Sequence, residues 1–471
     1  MQRVALFMLL FLVYVGLAAW VPPWEDEIYY WCWSQDLQWS YFDHPAMVAV
    51  LIRISTELFG NSILAIRLPA CFAFTIIVAI LARLIRYNML LVAVVFTPIF
   101  TYGAILITPD TCLMLMWAIY LYWLVNLHEQ LEKVKRIPWY QWLLGGSILG
   151  LGMLGKYTMA LAAPSAFFSF ICMGGSRYRE WLWGYSIHCL VAACFTLPIF
   201  IFNMQHEFAP LRFQWEHATV QGGGWRSFGE FLGVQVLLVG TLPIVLFPWV
   251  LWNYRTFMMN THYRVCFWLY ALPFGFFLWK SVRGPLEGNW ALASYLGFWP
   301  LAVQWFQSIA QRPILRWASI AAFLPPMLCI LIGTTHLIHP LPYIPIANDR
   351  ITRQPARFQL AVNLHDYLRG EEGIPIFAAN YQWVALLRYQ GLPAYHEPGI
   401  TRPSNFTLQS QQMIQHDVVY YWAEVPLSRE HTIGFLPAQL MATFPLSMRG
   451  QEIDTYKLWR YVKEMPMQKS E

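Results

Sequence analysis

Eleven apolar stretches, most of them long enough to cross a bilayer, constrain this chain more than any other feature. They run over roughly 4–22, 62–82, 89–107, 111–127, 140–154, 157–173, 182–202, 231–251, 265–279, 289–307 and 317–337. A helix needs about 20 apolar residues to span the hydrocarbon layer. Composition agrees: 58% of the 471 residues are hydrophobic and 12% charged, against about 25% charged in soluble domains. The expected fold is an α-helical integral membrane protein with about 11 transmembrane helices. The opening MQRVALFMLLFLVYVGLAAW resembles a signal peptide, but its apolar run is long and many spans follow, so it reads as an uncleaved first helix.

Charge sets the predicted orientation. With the N-terminus inside, the cytoplasmic loops carry Arg83 and Arg86, then Lys133, Lys135 and Arg136, then Arg177 and Arg179, then Arg255 and Arg264, then Arg312 and Arg316. Each inside loop thus holds at least two basic residues, as the positive-inside rule asks. The formal charge of +5 is modest and forms no clustered basic face, which argues against nucleic acid as a partner. Eight cysteines show no CxxC or disulfide pattern.

The first outside loop, WEDEIYYWCWSQDLQWSYFDHP (24–45), is unusual. It packs Glu25, Asp26, Glu27, Asp36 and Asp43 with four tryptophans beside a span, where charge is costly and tends to be kept for function. A carboxylate such as Asp26 or Glu27 can deprotonate a sugar-accepting hydroxyl; acids at the start of a short helix near Ile28 would look the same. Most of the tryptophans suit interfacial anchoring. YFDHPAMVAVLIRIS suggests an interfacial helix with Asp43 or His44 as its cap, and a helix N-terminus attracts phosphate. Further along, TPDT puts Asp110, and GMLGKYTMA puts Lys156, into very short turns between apolar segments. A lysine there suits contact with a lipid phosphate or simple snorkelling. The loop FAPLRFQWEHATVQGGGWRSFGEF carries Glu216, His217 and a flexible triple glycine. His217 with Asp43 or Glu216 could hold a divalent metal, although the scattered spacing does not favour it. Lys280 and Arg283 lie at the same predicted face.

From about residue 340 the character changes. HPLPYIPIAN reads as a linker. IPIFAA, HDVVYYWAE and TYKLWRYV read as strands and YQWVALLRYQ as an amphipathic helix. Residues 1–338 are thus expected to form the membrane domain and 339–471 a small α/β domain outside. No Walker loop, HExxH or strand-linked GxGxxG occurs, so no nucleotide donor is indicated; an outer-face site would take a donor carried by the membrane itself.

DEIYYWCWSQDLQWSYFDHPAMVAVLIRI, LFGNSILAIRLPA, TPDTCLMLMWAIYLYWL and GLGMLGKYTMAL, in that order, resemble the membrane glycosyltransferases of the GT-C superfamily. In particular they resemble bacterial relatives of protein O-mannosyltransferases and of the aminoarabinose transferases that modify lipid A. It covers most of residues 1–300; RPSNF (402–406) looks like a recurring element of bacterial members. The resemblance implies inverting transfer of a sugar from a polyprenyl-phosphate donor to lipid A, a polysaccharide or a protein at the periplasmic face of the bacterial inner membrane. It implies Asp26 as base with Glu27 beside it, Asp110 as a second acid near the site, and Lys156 on the lipid phosphate. His217 falls in a segment similar to the WxEH element of the long periplasmic loop. The aminoarabinose transferases carry Glu-Lys-Pro where this chain has Asp43-His44-Pro45, so His44, aided by Arg283, would take up a phosphate role only when protonated. A transporter or flippase of lipid-linked glycans is the alternative from another class; it should place ionisable groups at the midplane and show repeats.

Overall fold

The computed structural model describes residues 2–463 apart from 134–135, 175–176, 221, 372, 398, 409–416 and 428–434. Lys135 and His416 of the motifs above lie outside the described residues. The chain divides into two compact units, Met1–Val21 with Leu37–Ile332, and Pro22–Asp36 with Gly333–Glu471. The acidic segment after the first helix therefore folds with the C-terminal part of the chain.

In the first unit every apolar stretch is helical, but continuous spans are fewer than eleven. Six helices among the described residues are long and apolar enough to cross a membrane, or seven if Asn88–Val95 and Pro98–Ile105 form one span bent by 54°. The bend follows from Thr97-Pro98, since proline lacks the N–H and its ring disfavours helix at the residue before it. Residues 231–251 break likewise into Gly224–Val239, Leu242–Val245 and Phe247–Trp252, with Pro243 and Pro248 in the first turns of the two short pieces. Burial shows which helix is central. Pro109–Lys133 has 78% of its apolar window buried, against 11% for Arg3–Trp20. Its polar side chains find buried partners: Tyr120 Oη lies 3.1 Å from His188 Nε2, and His128 Nε2 lies 3.1 Å from Ser169 Oγ, as enclosed polar groups require. Arg264, read above as a loop charge, is buried in helix Thr261–Arg283 and pairs with Glu132 at 3.1 Å.

The loops are more ordered than the sequence suggests. Helix Met47–Phe59 starts after Ala46 with no side-chain cap, so Asp43 and His44 are not its caps. They sit instead on a tight turn closed by a bridge between Ser40 and Pro45 and by Tyr41 N–H donating to His44 O at 3.1 Å. The predicted flexible loop over 203–230 is largely helix, Ala209–Thr219 followed by Gly224–Val239. Gly222, Gly223 and Gly224 all have positive φ, a conformation that glycine adopts without strain. Fully buried Arg67 closes the end of the first helix by donating to Ala18 O at 2.7 Å and Val21 O at 2.6 Å, satisfying carbonyls that a helix end leaves without partners.

The second unit holds helix Glu25–Gln35, helix Arg350–Tyr367 and an α/β fold. Its strands are β1 (Ile376–Ala378), β2 (Ala394–His396), β3 (Val418–Ala423), β4 (Gln439–Met448) and β5 (Gln451–Val462), in the order β2-β1-β3-β5-β4. β1 runs parallel to β2 and β3; β5 runs antiparallel to β3 and β4. Helix Tyr381–Tyr389 is the crossover between β1 and β2. The β4–β5 hairpin turns on Arg449 (φ 51) and Gly450 (φ 73), as two-residue turns with positive φ at both positions do. Arg449 offsets the strain by bonding to Asp349 and, at 3.0 and 2.8 Å, to Leu341 O and Ile344 O of the proline-rich linker. Asp349 also caps the next helix, accepting from Thr352 N at 3.0 Å. Burial pushes its carboxyl up, but bonds from Thr352, His336 and Arg449 outweigh this and hold it well below the usual carboxylate range.

Candidate functional site

Two residues singled out as charges in tight turns meet in the first unit. Asp110 is not in a turn but in the first turn of helix Pro109–Lys133, where Pro109 suits the helix start and an acid suits the dipole. Lys156 follows the last residue of helix Trp139–Gly155 in extended conformation. Its Nζ lies 2.7 Å from Asp110 Oδ1, and Asn289 Nδ2 donates to Asp110 Oδ2 at 2.7 Å. Lys156 is buried, so the pair is held by geometry rather than by solvent. Glycine makes the meeting feasible. A Cβ on Gly155 would stand 2.7 Å from Cys112 Cβ and 3.4 Å from Leu113 N, so only glycine lets the two helix ends approach. Gly155→Ala is expected to push them apart, destabilising the protein by about 1–3 kcal/mol, typical of overpacking, and lowering activity with it. Thermal unfolding of the purified variant checks this; an unchanged midpoint would show that the junction yields at no cost.

An apolar cavity of about 220 Å³ adjoins this cluster, lined by Phe74, Tyr102, Leu106, Met114, Leu238 and Leu292 with Asp110 and Asn289 at its polar end. A chain of contacts links the cluster to the 40–45 turn. Trp290, next to Asn289, packs on His217 at 5.7 Å between ring centroids; His217 stacks on Phe213 at 6.4 Å, and Phe213 packs on Phe42 at 5.1 Å. Gln214 Nε2 donates to Asp43 O at 2.7 Å, and Tyr157, beside Lys156, senses Asp43 electrostatically. Within the first unit a series of contacts thus links Asp43 and His217 to the Asp110–Lys156 pair, with Asn289 as a member that sequence reasoning missed. Arg283 does not join the contacts described here; it is exposed and lies over the ring of Trp279 at 5.1 Å. Lys280 Nζ donates to Val220 O at 2.9 Å. No group of three His, Cys, Asp or Glu able to hold a metal occurs among the described residues, and His217 is surrounded by rings rather than by acids.

The first-loop carboxylates Glu25, Asp26 and Glu27 belong to the second unit. The helix runs Glu25–Gln35, starting earlier than Ile28, and all three acids lie in its first turn, where the dipole favours them. Their partners differ. Glu25 Oε1 pairs with Arg357 at 3.0 Å. Asp26 Oδ1 accepts from Tyr381 Oη at 3.1 Å. Glu27 is 1% exposed. Trp31 and Trp33 are buried, against Tyr389 at 4.9 Å and Tyr29 at 4.8 Å, and so do not anchor an interface; Trp39 is 61% exposed.

Two buried titratable residues end β2. His396 Nδ1 lies 2.8 Å from Ser404 Oγ and its Nε2 2.9 Å from Thr401 Oγ1; burial lowers its pKa to about 4. Burial raises the neighbouring Glu397 to about 7. A carboxyl raised in the fold favours folding fully below the unfolded value of about 4.5, and that contribution is lost as pH rises through 7. Glu397→Gln is therefore expected to raise the unfolding temperature at pH 8 and leave it unchanged at pH 4.5. Melting curves at the two pH values check this, and an equal gain at both would contradict it.

Comparison with known proteins places these features. A family model described as dolichyl-phosphate-mannose-protein mannosyltransferase matches residues 43–204, the stretch that holds Asp43, His44, Asp110 and Lys156. The chain is 25% identical over 324 residues to the lipid A galacturonosyltransferase RgtD of Rhizobium johnstonii, covering 65% of this chain and 66% of that one. It is 28% identical over 263 residues to the undecaprenyl phosphate-alpha-4-amino-4-deoxy-L-arabinose arabinosyl transferase of Erwinia tasmaniensis, covering 52% and 47%. The matches thus span under two thirds of either relative. The fold is that of ArnT from Cupriavidus metallidurans, solved bound to undecaprenyl phosphate and in the apo state: TM-scores are 0.60 and 0.61 at 12% and 11% identity, over 97% of this chain and 98% of that one.

Proposed function

We propose, for a chain that is a relative of the GT-C membrane glycosyltransferases, that it moves a sugar from a polyprenyl-phosphate donor to a cell-envelope acceptor with inversion at the anomeric carbon. The observation that carries this reading is the Lys156–Asp110–Asn289 cluster beside an apolar cavity. A buried cation next to an apolar wall suits the phosphate and first isoprene units of a lipid donor. Lys156 then stabilises the charge that builds on the departing polyprenyl phosphate, with His44 and Arg283 as further phosphate contacts. Asp110 orients Lys156, and Asn289 fixes Asp110. Asp26 takes the proton from the acceptor hydroxyl, and Glu27 orients sugar or acceptor. Asp43 and His217 shape the acceptor side. One relative's name supports lipid A as acceptor, and the basic residues of the short loops support an inner-membrane protein with the N-terminus cytoplasmic and the C-terminal unit periplasmic.

A carrier of lipid-linked glycans is favoured by one observation, the span broken at Thr97-Pro98, because transporters build sites from discontinuous helices. The test is incubation of the purified protein with a panel of polyprenyl-phosphate sugars and candidate acceptors, including lipid A, followed by mass spectrometry. A mass gain of one sugar on an acceptor is expected; no gain with any donor would overturn the reading.

A further inference from the structure

The C-terminal unit touches Asp26 through residues that no motif links to it. Asp26 and Tyr29 lie one helical turn apart, on the same face of helix Glu25–Gln35. Tyr381 Oη donates to Asp26 Oδ1 at 3.1 Å, and its ring packs on Tyr29 at 4.6 Å between centroids. Arg402 places its guanidinium carbon 4.5 Å over the Tyr381 ring. Asn405 N–H donates to Tyr29 Oη at 2.8 Å, and Phe406 packs edge-on against Tyr29 at 5.1 Å. The RPSNF element thus wraps the tyrosine pair that holds Asp26.

The topology explains why these residues converge. β1 and β2 are parallel neighbours, so the segments that follow them leave the sheet at the same edge. The carboxyl ends of parallel strands are where such sheets gather functional groups. Tyr381 follows β1, and the 399–406 segment follows β2. Asn380 caps the Tyr381 helix, accepting from Trp383 N at 3.1 Å. Buried His396 grips Thr401 and Ser404 on either side of Arg402. The Tyr381–Arg402 pair is therefore braced from two directions.

Resting on Asp26 as the base, we infer that Tyr381 is a positioning residue for that carboxylate and that Arg402 strengthens it as a donor. The phenol proton fixes the rotation of the carboxylate and favours its charged, proton-accepting form. A guanidinium over the ring face draws on its electrons and makes the hydroxyl a better donor. The C-terminal unit then contributes to the chemistry rather than serving only as a cap. The charged and titratable groups of this unit near Asp26 include Glu25 and Glu27 of its own helix, Arg357, which pairs with Glu25, and Tyr381 and Arg402.

Tyr381→Phe removes the hydroxyl and keeps the ring. In the full-length purified protein it is expected to lower kcat roughly tenfold, the usual effect of losing one hydrogen bond to a charged group. KM should be little changed. The acid limb of the pH–rate profile should move up by about one pH unit, and the unfolding temperature should hold. Arg402→Gln should move the profile the same way by less. A Tyr381→Phe enzyme with wild-type kcat and pH profile would overturn the inference, as would a loss of activity explained wholly by a lower unfolding temperature. Asp26→Asn, assayed alongside, separates the two levels. If it is active, the base assignment fails and this inference with it; if it is inactive while Tyr381→Phe behaves as wild type, only this inference fails.

Discussion

Asp26→Asn should lower sugar transfer by at least about a hundredfold, the low end of what a positioned general base contributes, without unfolding the protein. Asparagine has nearly the same shape as aspartate, and its carbonyl oxygen can still accept from Tyr381 Oη, which lies 3.1 Å from Asp26 Oδ1 in the native site. What it loses is the capacity to take a proton. The loss should therefore fall on kcat, while binding of undecaprenyl phosphate stays as in the wild type, since an interaction made only in the transition state does not alter ground-state affinity. Glu25→Gln is the matched control. Glu25 is tied to Arg357 at 3.0 Å, so its replacement should cost stability rather than chemistry. Full transfer by a folded, membrane-inserted Asp26→Asn protein would remove Asp26 from the chemistry.

Lys156→Met should have the second large effect, on two measurable quantities. Asp110, whose side chain is 14% exposed, would keep Asn289 at 2.7 Å as its side-chain partner among the described residues; removing one partner of a fully buried ion pair destabilises by about 3–5 kcal/mol, so a loss at or below the low end is expected. Affinity for undecaprenyl phosphate should fall as well. The double variant Lys156→Met/Asp110→Asn separates these effects, because replacing both charges removes the unpaired one. Its unfolding temperature should recover most of the loss, while its affinity for undecaprenyl phosphate should not. Recovery of both would make the pair a structural device and leave the phosphate role to His44 and Arg283.

Much of the architecture could be read from hydropathy, because helical spans have a period and a length that no packing partner changes. Hydropathy does not show where a stretch bends: a window average passes over Thr97-Pro98, where the two helices meet at 54°. In the tail, β3 and β5 carry apolar and aromatic runs and were legible. β4 was not, since QLMATFPLSM holds Pro445, which is tolerated because β4 lies at the sheet edge. Within the candidate site, Asp110 and Lys156 stood out as charges where none was needed for solubility. Asn289 gave no such signal, being an ordinary polar residue near a helix start. Tyr381 could not have been found: its partner Asp26 lies 355 residues away, and only the sheet topology brings them together. The tryptophans of the first loop misled for a related reason. Aromatics beside a span suit a membrane interface, but Trp31 and Trp33 serve as core of the second unit.

The most direct measurement of the central claim follows both products of one reaction. Purified protein in liposomes is supplied with a polyprenyl-phosphate sugar and lipid A, and freed polyprenyl phosphate and glycosylated acceptor are quantified together by mass spectrometry. The account predicts that the two appear in equal amounts with the wild type and that both fall at least about a hundredfold with Asp26→Asn. Intact donor moving across the bilayer, with no polyprenyl phosphate released and no sugar on the acceptor, would contradict it and identify a carrier instead.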